Sequence, residues 1–209
     1  VQLSRGEKFN TMNKAFWPEM VAVFDEIEED PSARVVVFSA QGKHFTSGLD
    51  LNDFGPGLMG TDSEPARKAE ALRRSVLRMQ ETMSVVDRCR LPVLIAIQGA
   101  CIGGGIDLIS SADMRYCTED AFFCIQETNI GMTADVGTLQ RLPHIIPHGI
   151  VRELTYTGRR MMAAEARECG LINQVFTDQQ ALLAGVMDIA AEIAAKSPIA
   201  TVGNKEMLN

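Results

Sequence analysis

The sequence predicts an α/β fold with a largely parallel, buried sheet, and three observations carry that prediction. Two short apolar runs, "ARVVVFSA" (33–40) and "PVLIAIQG" (92–99), lack sustained polar alternation, as expected of strands covered on both faces. Helical periodicity fills the chain between and after them. With 209 residues, 46% hydrophobic and 22% charged, the chain can bury roughly 70% of its unfolded surface without a disulfide or metal staple.

Element by element, the opening "VQLSR" reads as the middle of a strand. "NKAFWPEMVAVFDEIEED" (13–30) places Phe16, Met20, Val23, Phe24 and Ile27 on one helical stripe, with Pro18 tolerated near the start. Asn10 and Asn13 are read as caps of that helix. The glycines, prolines and acids of "GPGLMGTDSEP" (55–65) mark a loop. Residues 66 to about 88 form a long charged amphipathic helix, whose run "ARKAEALRRSVLR" is a solvated face. A helix follows the glycines at 103–112, and "AFFCIQE" is a further strand. Helices are expected at 137–142, 149–157, 163–169 and 178–196, with "LINQVF" (171–176) a strand between the last two. No internal repeat is visible, and the patterns resume on both sides of the 55–65 loop, so one domain is expected over 1–196. Residues 197–209 read as the start of a further helix, and both ends read as cut, with any targeting signal beyond them.

Composition excludes several functions. A formal charge of −7 argues against nucleic acid as a partner, and no run of 18 apolar residues is present to span a membrane. Cys89, Cys101, Cys117, Cys124 and Cys169 form no C-x-x-C pair and read as buried free thiols of a reducing compartment. His44, His144 and His148 follow no zinc-binding pattern, so no metal site is expected. The 11 methionines read as adaptable core filling rather than as an acyl tunnel.

The stretch "GACIGGGIDL" (99–108) carries the chemistry. It fails as a dinucleotide fingerprint, since Leu108 stands where a third glycine is needed, and as a P-loop, since no Gly-Lys-Ser/Thr follows. Two readings stay open: a turn that packs strand closely on helix, or a backbone N–H aimed at a developing oxyanion. A second such turn, "GKHFTSGLDL" (42–51), follows the other buried strand. Ser47 lacks the context of a nucleophile elbow, but the pair of turns would supply two N–H donors, as a thioester enolate requires.

The ordered words "LSRGEKFNTMNKAFWPEM", "GKHFTSGLDL", "IQGACIGGGIDLISSADMRYCTEDAFF", "GMTADVGTLQRLP" and "AAEARECGLINQVF" resemble the crotonase superfamily of acyl-CoA enzymes over nearly the whole chain. The resemblance implies a β-β-α spiral core with surrounding helices, an acyl-CoA thioester substrate, and an oxyanion hole formed by the N–H groups of Leu49 and Gly104. It implies no cofactor beyond the coenzyme A of the substrate. It also implies homotrimers or homohexamers, built through C-terminal helices that this chain lacks.

Three acids then distinguish the reactions of that superfamily. Its hydratases hold a water between two glutamates. Here Glu127 matches one, Asp107 replaces the other, and Asp135 stands where hydratases carry a small residue. A shorter side chain and an added acid disturb water geometry, and a 1 Å misplacement can cost about 10²-fold in rate. The trio Asp107, Glu127 and Asp135 resembles that of the Δ3,5-Δ2,4-dienoyl-CoA isomerases within the superfamily. By that resemblance Asp135 takes a C2 proton, Glu127 delivers one at C6, and Asp107 orients the pair or separates them in energy. Grouped carboxylates in an apolar pocket cannot all ionise, which yields an acid and a base from one chemistry. Arg5, Lys8 and Lys43 are candidate neighbours of the coenzyme phosphates. The resemblance places such a protein in the mitochondrial matrix or the peroxisome. Enoyl-CoA hydratase, Δ3,Δ2-enoyl-CoA isomerase and a non-catalytic binding scaffold are the alternative functions.

Overall fold

A computed structural model describes residues 1–54 and 64–209, without the side chain of Phe54; most of the loop expected at 55–65 lies outside the described residues. The strands are β1 (Gln2–Leu3), β2 (Val36–Ala40), β3 (Val93–Ile97), β4 (Ala100–Ile102), β5 (Met114–Thr118), β6 (Phe122–Cys124), β7 (Met161–Met162) and β8 (Gln174–Phe176). The helices are α1 (Phe16–Glu29), α2 (Leu51–Phe54), α3 (Pro65–Arg88), α4 (Gly104–Ser110), α5 (Thr138–Arg141), α6 (His148–Thr157), α7 (Ala163–Glu168), α8 (Gln179–Ala194) and α9 (Pro198–Leu208).

Five strands form a parallel sheet in the order β1-β2-β3-β5-β8. Its central strand β3 is buried at all five positions, which explains the unbroken apolar run. Leu94 and Ala96, with Tyr116 of β5, pack against Leu182, Val186 and Ala190 of α8. Val93, Ile95 and Ile97 face the main core with Phe24, Phe38 and Met83. β2 alternates buried and half-buried residues, so "ARVVVFSA" is less enclosed than its composition suggests.

The chain does not run from β3 straight into the glycine helix as the sequence reading had it. It bends at Gly99 and lays β4 into a second sheet, ordered β4-β6-β7. Successive turns of chain thus give one strand to each sheet, β3 then β4 and β5 then β6, as the expected β-β-α spiral requires. β5 escaped the sequence reading because Arg115 interrupts its apolar character. The guanidinium is buried and donates to the carbonyls of Leu171, Ile109 and Ala112, which satisfies a charge that could not otherwise be enclosed.

Asn13 accepts from the Phe16 N–H at 3.1 Å, consistent with a role at the start of α1. Asn10 does something else. It is buried, and its Nδ2 donates to the carbonyls of Gln41 and His44, tying the chain before α1 to the turn after β2. The charge run at the start of α3 is exposed, as expected, while Met79, Thr82, Met83 and Val86 in its second half are buried. All five cysteines are free and only Cys169 is not fully buried. No helix among the described residues is long and apolar enough to cross a membrane.

Ser197 caps α9, and Pro198 occupies its first turn. Lys205 is 7% exposed and donates to the Leu91 carbonyl at 3.0 Å and to Asp113 Oδ2 at 2.7 Å. The same carboxylate oxygen accepts the N–H of Val93 at 2.7 Å. Lys205→Ala leaves these acceptors underused and is expected to cost about 2 kcal/mol, below the cost for a fully desolvated pair. Urea unfolding measures the loss, and amide exchange should show α9 opening ahead of the sheet; unchanged protection in α9 would contradict this role for Lys205.

Candidate active site

The two glycine turns meet through a short stretch of backbone pairing. The Thr46 N–H donates to Ala100 O at 3.1 Å, and the Ile102 N–H donates to Thr46 O at 3.1 Å. This parallel bridge between Thr46 and Cys101 sets "TSGLD" beside "CIGGG" in register. Gly48 lies at φ +84°, and a Cβ there would sit 2.7 Å from Ile102 O and 3.4 Å from Gly104 N. Only a glycine lets the turns approach this closely. The N–H groups of Leu49 and Gly104 have no acceptor among the described residues. The first follows Gly48, and the second belongs to the N-terminal turn of α4, whose donors have no partner within the helix.

Glu127 reaches the same place along β6. That strand pairs with β4, with Ile102 opposite Cys124, and the Gly103 N–H donates to Cys124 O at 2.9 Å. Glu127 opens the 3-10 helix Glu127–Ile130 just beyond. A Cβ on Gly103, which adopts φ +55°, would lie 3.2 Å from Glu127 Oε1. The carboxylate therefore rests against the backbone of the glycine turn. Its Oε2 is buried and has no hydrogen-bond partner among the described residues.

Asp107 projects from α4 and is 1% exposed. Its Oδ1 accepts both the N–H and the hydroxyl of Thr138, each at 2.7 Å. Asp135 is half-buried in the segment leading into α5, and its carbonyl accepts Gln80 Nε2 of α3 at 2.6 Å. Thr138 and Gln80 escaped the sequence reading. A threonine three residues after an acid is a common pattern, and nothing local links Gln80 to a segment 55 positions away.

The acids act on one another. Burial pushes Glu127 up to about 7, and the charges of Asp107 and Asp135 add to the shift, while backbone N–H groups of Glu127 and Gln126 oppose it. Burial pushes Asp107 up to about 6 and Asp135 pushes further, while Thr138 and Arg141 hold it down. Burial also raises Asp135. The three acids expected from the sequence thus share one field, and Glu127 lies against the turn that carries Gly104.

The candidate phosphate neighbours lie on two touching segments: a Cβ on Gly6, between Arg5 and Lys8, would sit 3.2 Å from Gly42 Cα, beside Lys43. Arg5 is engaged by Asp50 Oδ2 at 3.5 Å and by the Thr11 carbonyl at 2.7 Å, and Lys8 and Lys43 are exposed. Ala100 N–H donates to His44 Nδ1 at 3.1 Å, a structural use of that imidazole. Among the described residues no group of three metal-ligating side chains occurs. A cavity of about 820 Å³ bordered by Ser111, Arg115, Lys196 and Lys205 contains none of the five candidate residues.

Paired backbone donors beside a cluster of one buried and two half-buried acids are a chemical arrangement that comparison with known proteins can test. The sequence pattern of the family described as Enoyl-CoA hydratase/isomerase matches residues 1–209. The chain is 50% identical over 207 residues to the mitochondrial Delta(3,5)-Delta(2,4)-dienoyl-CoA isomerase of Mus musculus, covering 98% of this chain and 63% of that protein. It is 41% identical over 208 residues to the peroxisomal Delta(3,5)-Delta(2,4)-dienoyl-CoA isomerase of Arabidopsis thaliana, covering 99% and 75%. The crystal structure of an enoyl-CoA hydratase from Bacillus anthracis superposes with a TM-score of 0.88 at 33% identity, covering 100% of this chain and 78% of that one. The chain spans 63% of the length of the mammalian relatives it matches. A match along its whole length, joined to a shared fold, settles the kinship: the chain belongs to the enoyl-CoA hydratase/isomerase family.

Proposed function

We propose that the protein is an isomerase of fatty-acid β-oxidation that moves the double bonds of a 3,5-dienoyl-CoA to the 2,4 positions. The observation that carries this reading is the trio of acids raised by burial, with Asp135 acting on Asp107 and both on Glu127, Glu127 lying against the glycine turn, and the Leu49 and Gly104 N–H groups unpaired among the described residues. Those two N–H groups would hold the thioester oxygen as it gains charge, which acidifies C2–H. Asp135 removes a C2 proton; the electron pair forms C2=C3, the C3=C4 pair moves to C4=C5, and the C5=C6 pair takes a proton from Glu127 at C6. Passing the proton from Asp135 back to Glu127 resets the site. Glu127, pushed up to about 7, holds a proton in a substantial fraction of molecules at neutral pH and suits the acid role. The scheme uses side chains, backbone donors and the coenzyme A of the substrate, with no further cofactor.

Hydration fits less well. A hydratase needs both carboxylates on a water, whereas Asp107 is recessed and its Oδ1 is committed to Thr138. The relatives' names support a mitochondrial or peroxisomal setting. We also assign residues 1–196 to the spiral core and 197–209 to the start of a helical region, and expect a homotrimer or homohexamer.

Ultraviolet absorbance of the conjugated 2,4-dienoyl thioester reports the reaction. Glu127→Gln and Asp135→Asn should each slow it by at least about 10²-fold, and near-normal rates in either variant would break the assigned roles. Loss of 2-enoyl-CoA absorbance without dienoyl conversion would favour hydratase chemistry, and silence in both assays a binding scaffold.

The same burial predicts a pH dependence of stability. Folding raises Asp107 from 3.8 to about 6 and Glu127 from 4.5 to about 7, so between those values the folded chain binds more protons than the unfolded chain. Stability from these groups is complete below about pH 4 and is lost as pH rises through about 7. Urea unfolding at pH 5 and pH 8 should show Glu127→Gln losing less stability than the native chain, by about 1–3 kcal/mol. Equal losses would show that Glu127 does not hold a proton in the folded state.

A further inference from the structure

We propose that Thr138 is a positioning residue that keeps Asp107 ionised and so leaves the exchangeable proton of the acid trio on Glu127. The geometry separates the two carboxyls. Asp107 Oδ1 accepts two hydrogen bonds of 2.7 Å from the backbone and the hydroxyl of Thr138, and both donors favour the anion. Glu127 Oε2 is buried and has no hydrogen-bond partner among the described residues, and the backbone N–H groups of Glu127 and Gln126 that favour its anion are outweighed by burial. Two acids in one field cannot both ionise cheaply, so the one that accepts two short hydrogen bonds keeps the charge.

The other groups around the trio reinforce this order. Asp135, in the segment before α5, pushes protons onto both acids. Arg141, on α5 with Thr138, favours the Asp107 anion, but its guanidinium is engaged by Asp87 Oδ2 at 3.2 Å and Ser84 Oγ at 3.3 Å on α3. Cys101 of β4 and Cys124 of β6 are raised above their ordinary values, chiefly by burial, and stay neutral beside Asp107 and Glu127. Thr138 is therefore the direct donor that distinguishes one carboxyl from the other. It touches no reacting atom; it acts through Asp107.

The proposal rests on reading the trio as the acid–base set, and its test is independent of turnover. Carboxyl carbons are labelled with ¹³C, assigned with Glu127→Gln and Asp107→Asn, and titrated by NMR without substrate. In the native chain Glu127 should titrate above Asp107. Thr138→Val should raise the Asp107 midpoint by about one pH unit or more and narrow or invert the gap, while Thr138→Ser should restore the native order. Thr138→Ala, which removes the hydroxyl together with the γ-methyl, should shift Asp107 in the same direction and serves if the valine variant does not fold. An Asp107 midpoint unmoved in the folded variants, or moved equally by serine, overturns the proposal. The pH profile of dienoyl conversion separates the two readings. A native chain that fails to convert substrate but shows the NMR shifts refutes the isomerase and keeps the Thr138 assignment. Conversion with unmoved carboxyls does the reverse.

Discussion

Two backbone hydrogen bonds between Thr46 and the strand Ala100–Ile102 are the contact on which the site depends. They join segments that follow different strands of the large sheet and bring the Gly48 and Gly103 turns together. The separation tolerates no side chain at Gly48, where a Cβ would lie 2.7 Å from a carbonyl oxygen. Because backbone supplies both proposed donors, rigidity of the sheet becomes precision of the site. The pairing of β4 with β6 carries that precision one strand further and delivers Glu127 to the same turn.

The acids work against stability. Burial raises all three above their ordinary values, which means that the fold encloses groups that would be more favourably solvated. The surrounding packing offsets this. A central strand buried along its whole length and covered by α8 on one face and by the main core on the other is a firm support for a strained cluster. The network is also incompletely satisfied, at Glu127 Oε2. An unmet polar atom in a native interior is a known companion of catalytic use.

Much of this was legible in the sequence, and the limits have physical causes. Uninterrupted apolar runs announced β2 and β3, and helical stripes announced α1, α3 and α8. The three acids and both turns were found because residue type and order within recognisable words carry the chemistry. The strands β4 and β7 were missed since two or three residues have no period to detect, and β5 because a buried arginine disguised it. Thr138, Gln80 and the true role of Asn10 were invisible for another reason. Each acts through a partner distant in sequence, at separations of 31, 55 and up to 34 residues, and one-dimensional pattern records no such pairing.

The order of the large sheet, β1-β2-β3-β5-β8, has a bearing on how the protein is made. Reading across the sheet is reading forward along the chain, so each new strand can dock on the edge left by the one before it. Parallel sheets close long loops and fold slowly, and edge-by-edge growth lets a nascent chain proceed without waiting for its far end. Every residue of the candidate site lies before β8. The site can therefore take shape during synthesis while one face of β3 is still bare, with α8 arriving afterwards to close it.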